Sequence, residues 1–460
     1  MSKLTDITVI GGGLAGTEAA WQAAQRGKNV RLYEMRPAVE TGAHVTGDLA
    51  ELVCSNSLGS DITNRASGLL KAELRMMGSL LIELAELAAV PAGSALAVDR
   101  VVFAQLVTEK LSSHPNIEII REEVTELPDT PTVIATGPLT SPTFADKIAK
   151  LSGESHLFFF DAISPIVSLE SINMEVAFRA SRYEKDSGEE QQGDYINCPM
   201  NQEEYALFVS ELKSAERIEI RDFEQIMDEG VNAGVHTFFE GCLPVEVIAQ
   251  RGEKSLAFGP MRPVGLTDPR TGRWPHAVLQ LRQDDLAGEM YNLVGFQTNL
   301  KFSEQRRLFR MVPGLENAEF LRYGQMHRNT FIFSPRLLKP TLQFHQRDDL
   351  FFAGQLTGIE GYAGNIASGL LAGWNLSRLL DGQAPLILPR ESMLGSLCYY
   401  ITNASEKDFQ PMKANFGIVP PLTDGKKRNK RTRAEAYAQR AMDCLAEFIE
   451  GADDAAKTIN

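Results

Sequence analysis

Apolar and polar positions alternate along this chain in short, recognisable units. "DITVI" (residues 6–10) is a compact apolar run, the length of a buried strand. "GGGLAG" follows as a turn, and "LAGTEAAWQAAQRG" (14–27) has the composition of a helix closing at a glycine. "NVRLYE" (29–34) is a second strand ending on Glu34, so residues 6–34 predict a βαβ unit. Residues 35–60 lose periodicity and predict a long loop. Helices are predicted near 64–77 and 79–89, and over 98–111, where apolar spacing approaches 3.6. "IEIIREEV" and "TVIATG" (132–137) read as further strands.

From about residue 146 the regular βα alternation stops, and "RYEKDSGEEQQGD" (182–194) predicts an exposed loop. The stretch 349–380 returns to strand, glycine turn and helix, like the missing end of the first domain. The last 80 residues are mainly helical, interrupted at "NFGIVPPL". The expected architecture is α/β. A Rossmann-like dinucleotide-binding domain takes 1–145 and 330–385, an inserted α+β substrate domain takes 146–329, and a helical C-terminal segment takes 386–460. A chain of 460 residues is too long for one core, which agrees with two or three domains.

Gly11, Gly13 and Gly16 match G-x-G-x-x-G between a strand and a helix, with Glu34 about 20 positions on. Gly11 permits the tight turn, Gly13 admits a pyrophosphate, and Gly16 lets helix and strand pack closely. Gly12, Leu14 and Ala15 complete the turn, whose helix N-terminus offers N–H groups to phosphates. Glu34 can accept from a ribose hydroxyl. NAD and FAD share this device. "ATG" at 135–137 and the late "FFAGQLTGIEGYAGNIASG" (351–369) favour FAD, in the manner of flavoproteins with two dinucleotide-binding halves. The second helix is expected to start near Gly364–Asn365, with Gly354 in the turn before it.

Net charge is −14, yet "KKRNKRTR" (426–433) holds six cations in eight positions. It is either a solvated basic loop or an RNA contact. The N-terminus is not expected to be a signal peptide, and no stretch has the uninterrupted apolar length of a membrane helix. Five cysteines without C-x-x-C spacing argue for a reducing cytoplasm, with no disulfide framework and no structural metal. Cys198, Cys398 and Cys444 read as buried small hydrophobes. Cys54 in "ELVCSNSL" and Cys242 in "FFEGCLPVE" have turn-forming neighbours that suit a presented thiol.

Longer motifs carry a family resemblance. "GGGLAGTEAAWQAAQRG", "YEMRP", "ELVCSNSL", "FEGCLPVE", "GPMRPVGL", "NLVGFQTNL", "RYGQMHRNTFI" and "GQLTGIEGYAGNIASGLLAG" occur in that order. Together they resemble the folate- and FAD-dependent methylenetetrahydrofolate–tRNA-(uracil-5-)-methyltransferases (TrmFO) over nearly the whole chain. The resemblance implies methylation of uridine carbon 5 in the tRNA T-loop. Methylenetetrahydrofolate would donate the carbon, reduced FAD the electrons, and NAD(P)H would regenerate the flavin. It implies that Cys242 is the nucleophile toward uracil carbon 6, and that Cys54 is a second functional thiol. The glycine turns, Glu34 and Asn365 would be FAD contacts. The residue after "CSNSL", often basic in the family, is Gly59 here. Ribosomal RNA as the acceptor, a flavin-dependent thiol/disulfide oxidoreductase, and a non-catalytic nucleotide-binding scaffold are the competing readings.

Overall fold

The computed structural model describes residues 6–41, 43–152, 157–162, 164–182, 193–218, 243–405, 409–423 and 426–457. Twelve of the described strands form two six-stranded sheets. In chain order they are β1 (Ile7–Ile10), β2 (Val30–Tyr33), β3 (Ile117–Ile120), β4 (Thr132–Ile134), β5 (Ile166–Ser168) and β6 (Phe178–Arg179), then β7 (Tyr195–Met200), β8 (Ala277–Gln283), β9 (Met290–Leu293), β10 (Phe320–Arg322), β11 (Gln343–Phe344) and β12 (Arg347–Phe352).

The first sheet runs β11-β12-β4-β1-β2-β3 and is parallel apart from the β11–β12 edge pair. Its central strand β1 is fully buried, as strands covered on both faces are. Two helices lie together against it: α1 (Leu14–Gln25) and, far along the chain, a 19-residue helix over Tyr362–Leu380. A methyl group on Gly369 or Gly373 would overlap the backbone of Ala15 or Ala19. These glycines therefore let the two helices pack backbone to backbone, joining the two ends of the sequence into one α/β layer.

The second sheet runs β6-β7-β8-β9-β5-β10 and is antiparallel. Alternation along its strands sends Ile196, Cys198, Met200, Leu279, Leu281, Tyr291 and Leu293 into one core, with Phe208 and Leu212 of the helix Gln202–Ser214. The opposite face carries Tyr195, Asn197, Gln280, Arg282 and Asn292 among a few apolar residues. Among the C-terminal elements, Met393–Asn403 and Lys430–Lys457 are helical. The "NFGIVPPL" segment is held to the last helix, where Arg440 donates to the carbonyls of Pro420 and Pro421 and Phe416 stacks on Tyr437.

Four local expectations shift. The 98–111 helix runs Arg100–Ser112, because Asp99 caps it by accepting from Val101 and Val102 N–H. The third strand stops at Ile120. The loop over 35–60 ends in a short strand, Ser57–Ser60, paired with Ala95–Val98. The late helix begins at Tyr362, two residues before the predicted start, because Gly361 at φ +87° turns the chain directly into it.

Candidate functional site

The turn after β1 is shaped by contacts only glycine allows. Gly11 has φ +104°, and a methyl group there would come within 2.5 Å of the Ala135 carbonyl oxygen on the neighbouring strand end. A methyl group on Gly16 would overlap the Gly11 carbonyl, so the helix can approach the strand only without a side chain. Gly13 differs: a methyl group there meets nothing within 4 Å. Gly13 is the N-cap of α1 and makes no side-chain cap, so the helix start faces open space.

That space is an open cleft, with about 990 Å³ of empty space including the solvent at its mouth. Gly11, Gly12, Gly13, Leu14, Ala15 and Glu34 line it, and so do Gly354, Tyr362 and Asn365. Gly16 and Gly364 do not line it. Gly16 lies under the turn, and Gly364 backs onto Ile359, where a methyl group would come within 2.7 Å of the side chain.

Glu34 is buried and tightly engaged. Oε2 accepts from Gly12 N–H at 3.0 Å, and Oε1 accepts from the backbone and Nε of Arg36 at 3.0 and 2.9 Å. Burial pushes the Glu34 carboxyl up, but the hydrogen bonds and charge of Arg36, with the Gly12 N–H, outweigh it and hold it below the usual carboxylate range. Arg36 Nη1 donates on to Glu51 at 3.0 Å, and Glu51 accepts from the backbone of Val45 and Thr46. A buried Glu34–Arg36–Glu51 chain therefore organises the long loop after β2.

On the same cleft, Gly354 has φ +77° and donates its N–H to Ser368 Oγ at 2.8 Å. Asn365 Oδ1 is buried without a hydrogen-bond partner among the described residues. Tyr362, at the start of its helix, accepts from the backbone N–H of Cys54 (2.9 Å) and Ser55 (3.0 Å). This phenol, its pKa raised well above the ordinary value by burial and by Cys54, pins the half-buried Cys54 loop to the wall of the cleft. The loop is tied again from below: Lys71 Nζ, fully buried, donates to the carbonyls of Leu58, Gly59 and Ser60.

Cys242 lies outside the described residues. Just beyond it, the helix Val245–Gln250 is anchored by Glu246, which accepts from Thr298 Oγ1 at 2.9 Å and Asn299 N–H at 2.8 Å. Cys198 and Cys398 are buried among apolar side chains and their thiols are pushed up by burial; Cys444 is half-buried on the last helix. Arg36, Glu51, Lys71 and Tyr362 were not singled out from the sequence. "YEMRP" offered a signal for Arg36. Nothing local pointed to Tyr362, whose partners lie 308 and 307 positions away.

A family model described as glucose inhibited division protein A matches residues 6–384. Curated methylenetetrahydrofolate–tRNA-(uracil-5-)-methyltransferases of Bacillus cereus (strain G9842) and Bacillus mycoides (strain KBAB4) are each 53% identical over 443 residues, covering 96% of this chain and 98% of theirs. The chain belongs to the TrmFO family. Among solved structures, GidA of Aquifex aeolicus in its two crystal forms superposes with TM-scores of 0.67 and 0.66 at 16% identity. Those matches cover 96% of this chain and 73% or 76% of GidA, and they show a shared fold. As a TrmFO member the chain is a methyltransferase-family protein matched nearly end to end, with its glycine turns, its "ELVCSNSL" loop and its late helix facing one cleft.

Proposed function

We propose that this chain methylates carbon 5 of uridine in the T-loop of tRNA, taking the carbon from methylenetetrahydrofolate, with FAD bound in the cleft and NAD(P)H as the reductant. The observation that carries the reading is the pinning of the Cys54 loop to Tyr362, which lines the same cleft as a glycine-rich helix start. The residues fit FAD. Gly13 leaves room beside the open N-terminus of α1 for a pyrophosphate. Gly11, Gly12, Leu14 and Ala15 line the cleft as well, and Glu34 keeps acceptor capacity for a ribose hydroxyl. Asn365 Oδ1, without a hydrogen-bond partner among the described residues, asks for a donor on the same cleft. Bound there, reduced flavin supplies the two electrons that take a one-carbon unit from the formaldehyde level to methyl.

The rest of the chemistry falls to this chain's own side chains. Uracil carbon 5 is a poor nucleophile. Addition of the Cys242 thiolate to carbon 6 places the electron pair on the ring as an enolate, which makes carbon 5 reactive. Once carbon 5 has gained its substituent, its proton leaves to a base, for which Cys54 is the candidate. Elimination of Cys242 then restores the ring. Carbon 6 is shielded in a stacked loop, so the target base is flipped out. Free thiols at all four described cysteines suit a reducing cytoplasm.

Single-turnover transfer to a tRNA transcript tests the assignment. Cys242→Ala abolishes transfer and leaves flavin bound, and Cys54→Ala slows transfer by at least a hundredfold. Wild-type transfer by the Cys242→Ala protein would refute the nucleophile.

A further inference from the structure

The face of the second sheet opposite its core carries a row of residues that crosses five strands. Register sets Tyr195 on β7 opposite Arg282 on β8, and Arg282 opposite Asn292 on β9. Asn292 stands opposite Ile166 on β5, and Ile166 opposite Arg322 on β10. Directly opposed residues of antiparallel strands share a face. The row lies against the first α/β layer. Tyr195 Oη donates to the Ala92 carbonyl at 2.9 Å, Arg282 Nε to Asn56 Oδ1 at 2.9 Å, and Arg322 Nη2 to the Ala43 carbonyl at 3.1 Å. Asn56 is two residues beyond Cys54. Arg100 enters the same seam and pairs with Asp284 at 2.9 Å.

The charges in this seam do not balance. Arg100 and Arg282 are 8% and 7% exposed, and Arg322 is partly buried. The carboxylate between them, Asp284, is held by Arg100, and the next, Glu51, is committed to Arg36. Among the described residues neither Arg282 nor Arg322 forms an ion pair. Asn292 Nδ2 and Arg100 Nε are buried with no acceptor among the described residues. Buried charges are normally paired and buried amides normally hydrogen-bonded. Both buried open atoms are donors, beside two arginines without an ion-pair partner, so the missing partner brings acceptor oxygens and negative charge. Arg100, Arg282 and Asn292 are more than nine-tenths buried, which favours a compact partner over a hydrated phosphodiester backbone.

We propose that Arg282, Asn292, Arg322 and Arg100 form an oxyanion subsite beside Cys54, taking a ring-amide oxygen of a substrate heterocycle that carries or gains negative charge. The proposal rests on the methyltransferase reading. A ring amide of this kind occurs in two heterocycles of that reaction, the dioxopyrimidine and the oxopterin, and the test separates them.

The test uses the full-length chain as wild type, Arg282→Gln and Asn292→Leu. Each is measured for tetrahydrofolate affinity, single-turnover transfer to a tRNA transcript at saturating folate, and melting temperature. Asn292→Leu removes an amide that has no partner, so it melts at or above the wild-type temperature. In both variants at least tenfold is lost. Loss of folate affinity assigns the oxopterin; loss of transfer rate at unchanged folate affinity assigns the pyrimidine. Folate affinity and rate within twofold of wild type in Asn292→Leu overturn the subsite, as do losses that appear only where the melting temperature also falls. A wild-type chain that transfers nothing would instead bring down the methyltransferase reading itself.

Discussion

Gly13 and Gly16 stand three positions apart in one turn and do different physical work. Gly16 is packing: its hydrogen touches the Gly11 carbonyl, and a methyl group has nowhere to go. Gly13 is access: its Cα faces the cleft with nothing within 4 Å, at φ −78°, which any residue can adopt. Gly16→Ala is therefore expected to cost about 2–3 kcal/mol by overpacking and to lose flavin together with fold stability. Gly13→Ala is expected to leave the cofactor-free melting temperature unchanged while flavin binding falls at least tenfold. Urea denaturation and the flavin absorbance of the purified variants check both. This scale is also where the sequence was most and least informative. The glycines were legible because a strand–turn–helix has a fixed spacing. Tyr362 and Lys71 were not, because their roles depend on carbonyls and N–H groups that reach them only through the tertiary fold.

At the scale of elements, the join between the helix Ala66–Met76 and the C-terminal region depends on one buried carboxylate. Glu73, on the helix Ala66–Met76, accepts from the N–H groups of Met393 (2.6 Å) and Leu394 (3.0 Å) at the start of the helix Met393–Asn403. Burial pushes its carboxyl up to about 7, and the two N–H groups only partly offset this. A carboxyl raised in the folded state makes the fold bind a proton more tightly than the unfolded chain does. Its contribution is therefore full below about 4.5 and is lost as pH rises through about 7. The stability of wild type relative to Glu73→Gln is expected to increase by about 2–3 kcal/mol between pH 8 and pH 5, measured by urea denaturation at each pH. A flat difference would show that Glu73 keeps its ordinary acidity. The α/β order of elements was legible from periodicity, and the early start of the helix at Tyr362 was not, because it is set by the left-handed turn at Gly361. The polar row on the second sheet was also hidden, since register between strands distant in sequence is a property of the folded sheet.

Across the whole molecule, an acidic protein of net charge −14 carries six cations in residues 426–433. The run leads into the helix Lys430–Lys457, whose first turn contains no acidic residue. Cations at a helix N-terminus oppose the helix dipole, so the placement does not serve the stability of that helix. Contact with a polyanionic partner is the role proposed for the run. Replacing the six with glutamine is expected to lower the slope of log affinity for tRNA against log salt by up to about 5, with the melting temperature unchanged. An unaltered slope would mark the run as a solvated face.

The origin of the transferred carbon tests the central claim most directly. The purified chain is given methylenetetrahydrofolate labelled in its one-carbon unit, NAD(P)H and a T-loop-containing tRNA transcript, with S-adenosylmethionine carrying a different label. The account predicts 5-methyluridine bearing the folate label alone. 5-Methyluridine bearing the S-adenosylmethionine label, or none formed by a flavin-loaded protein, would contradict it.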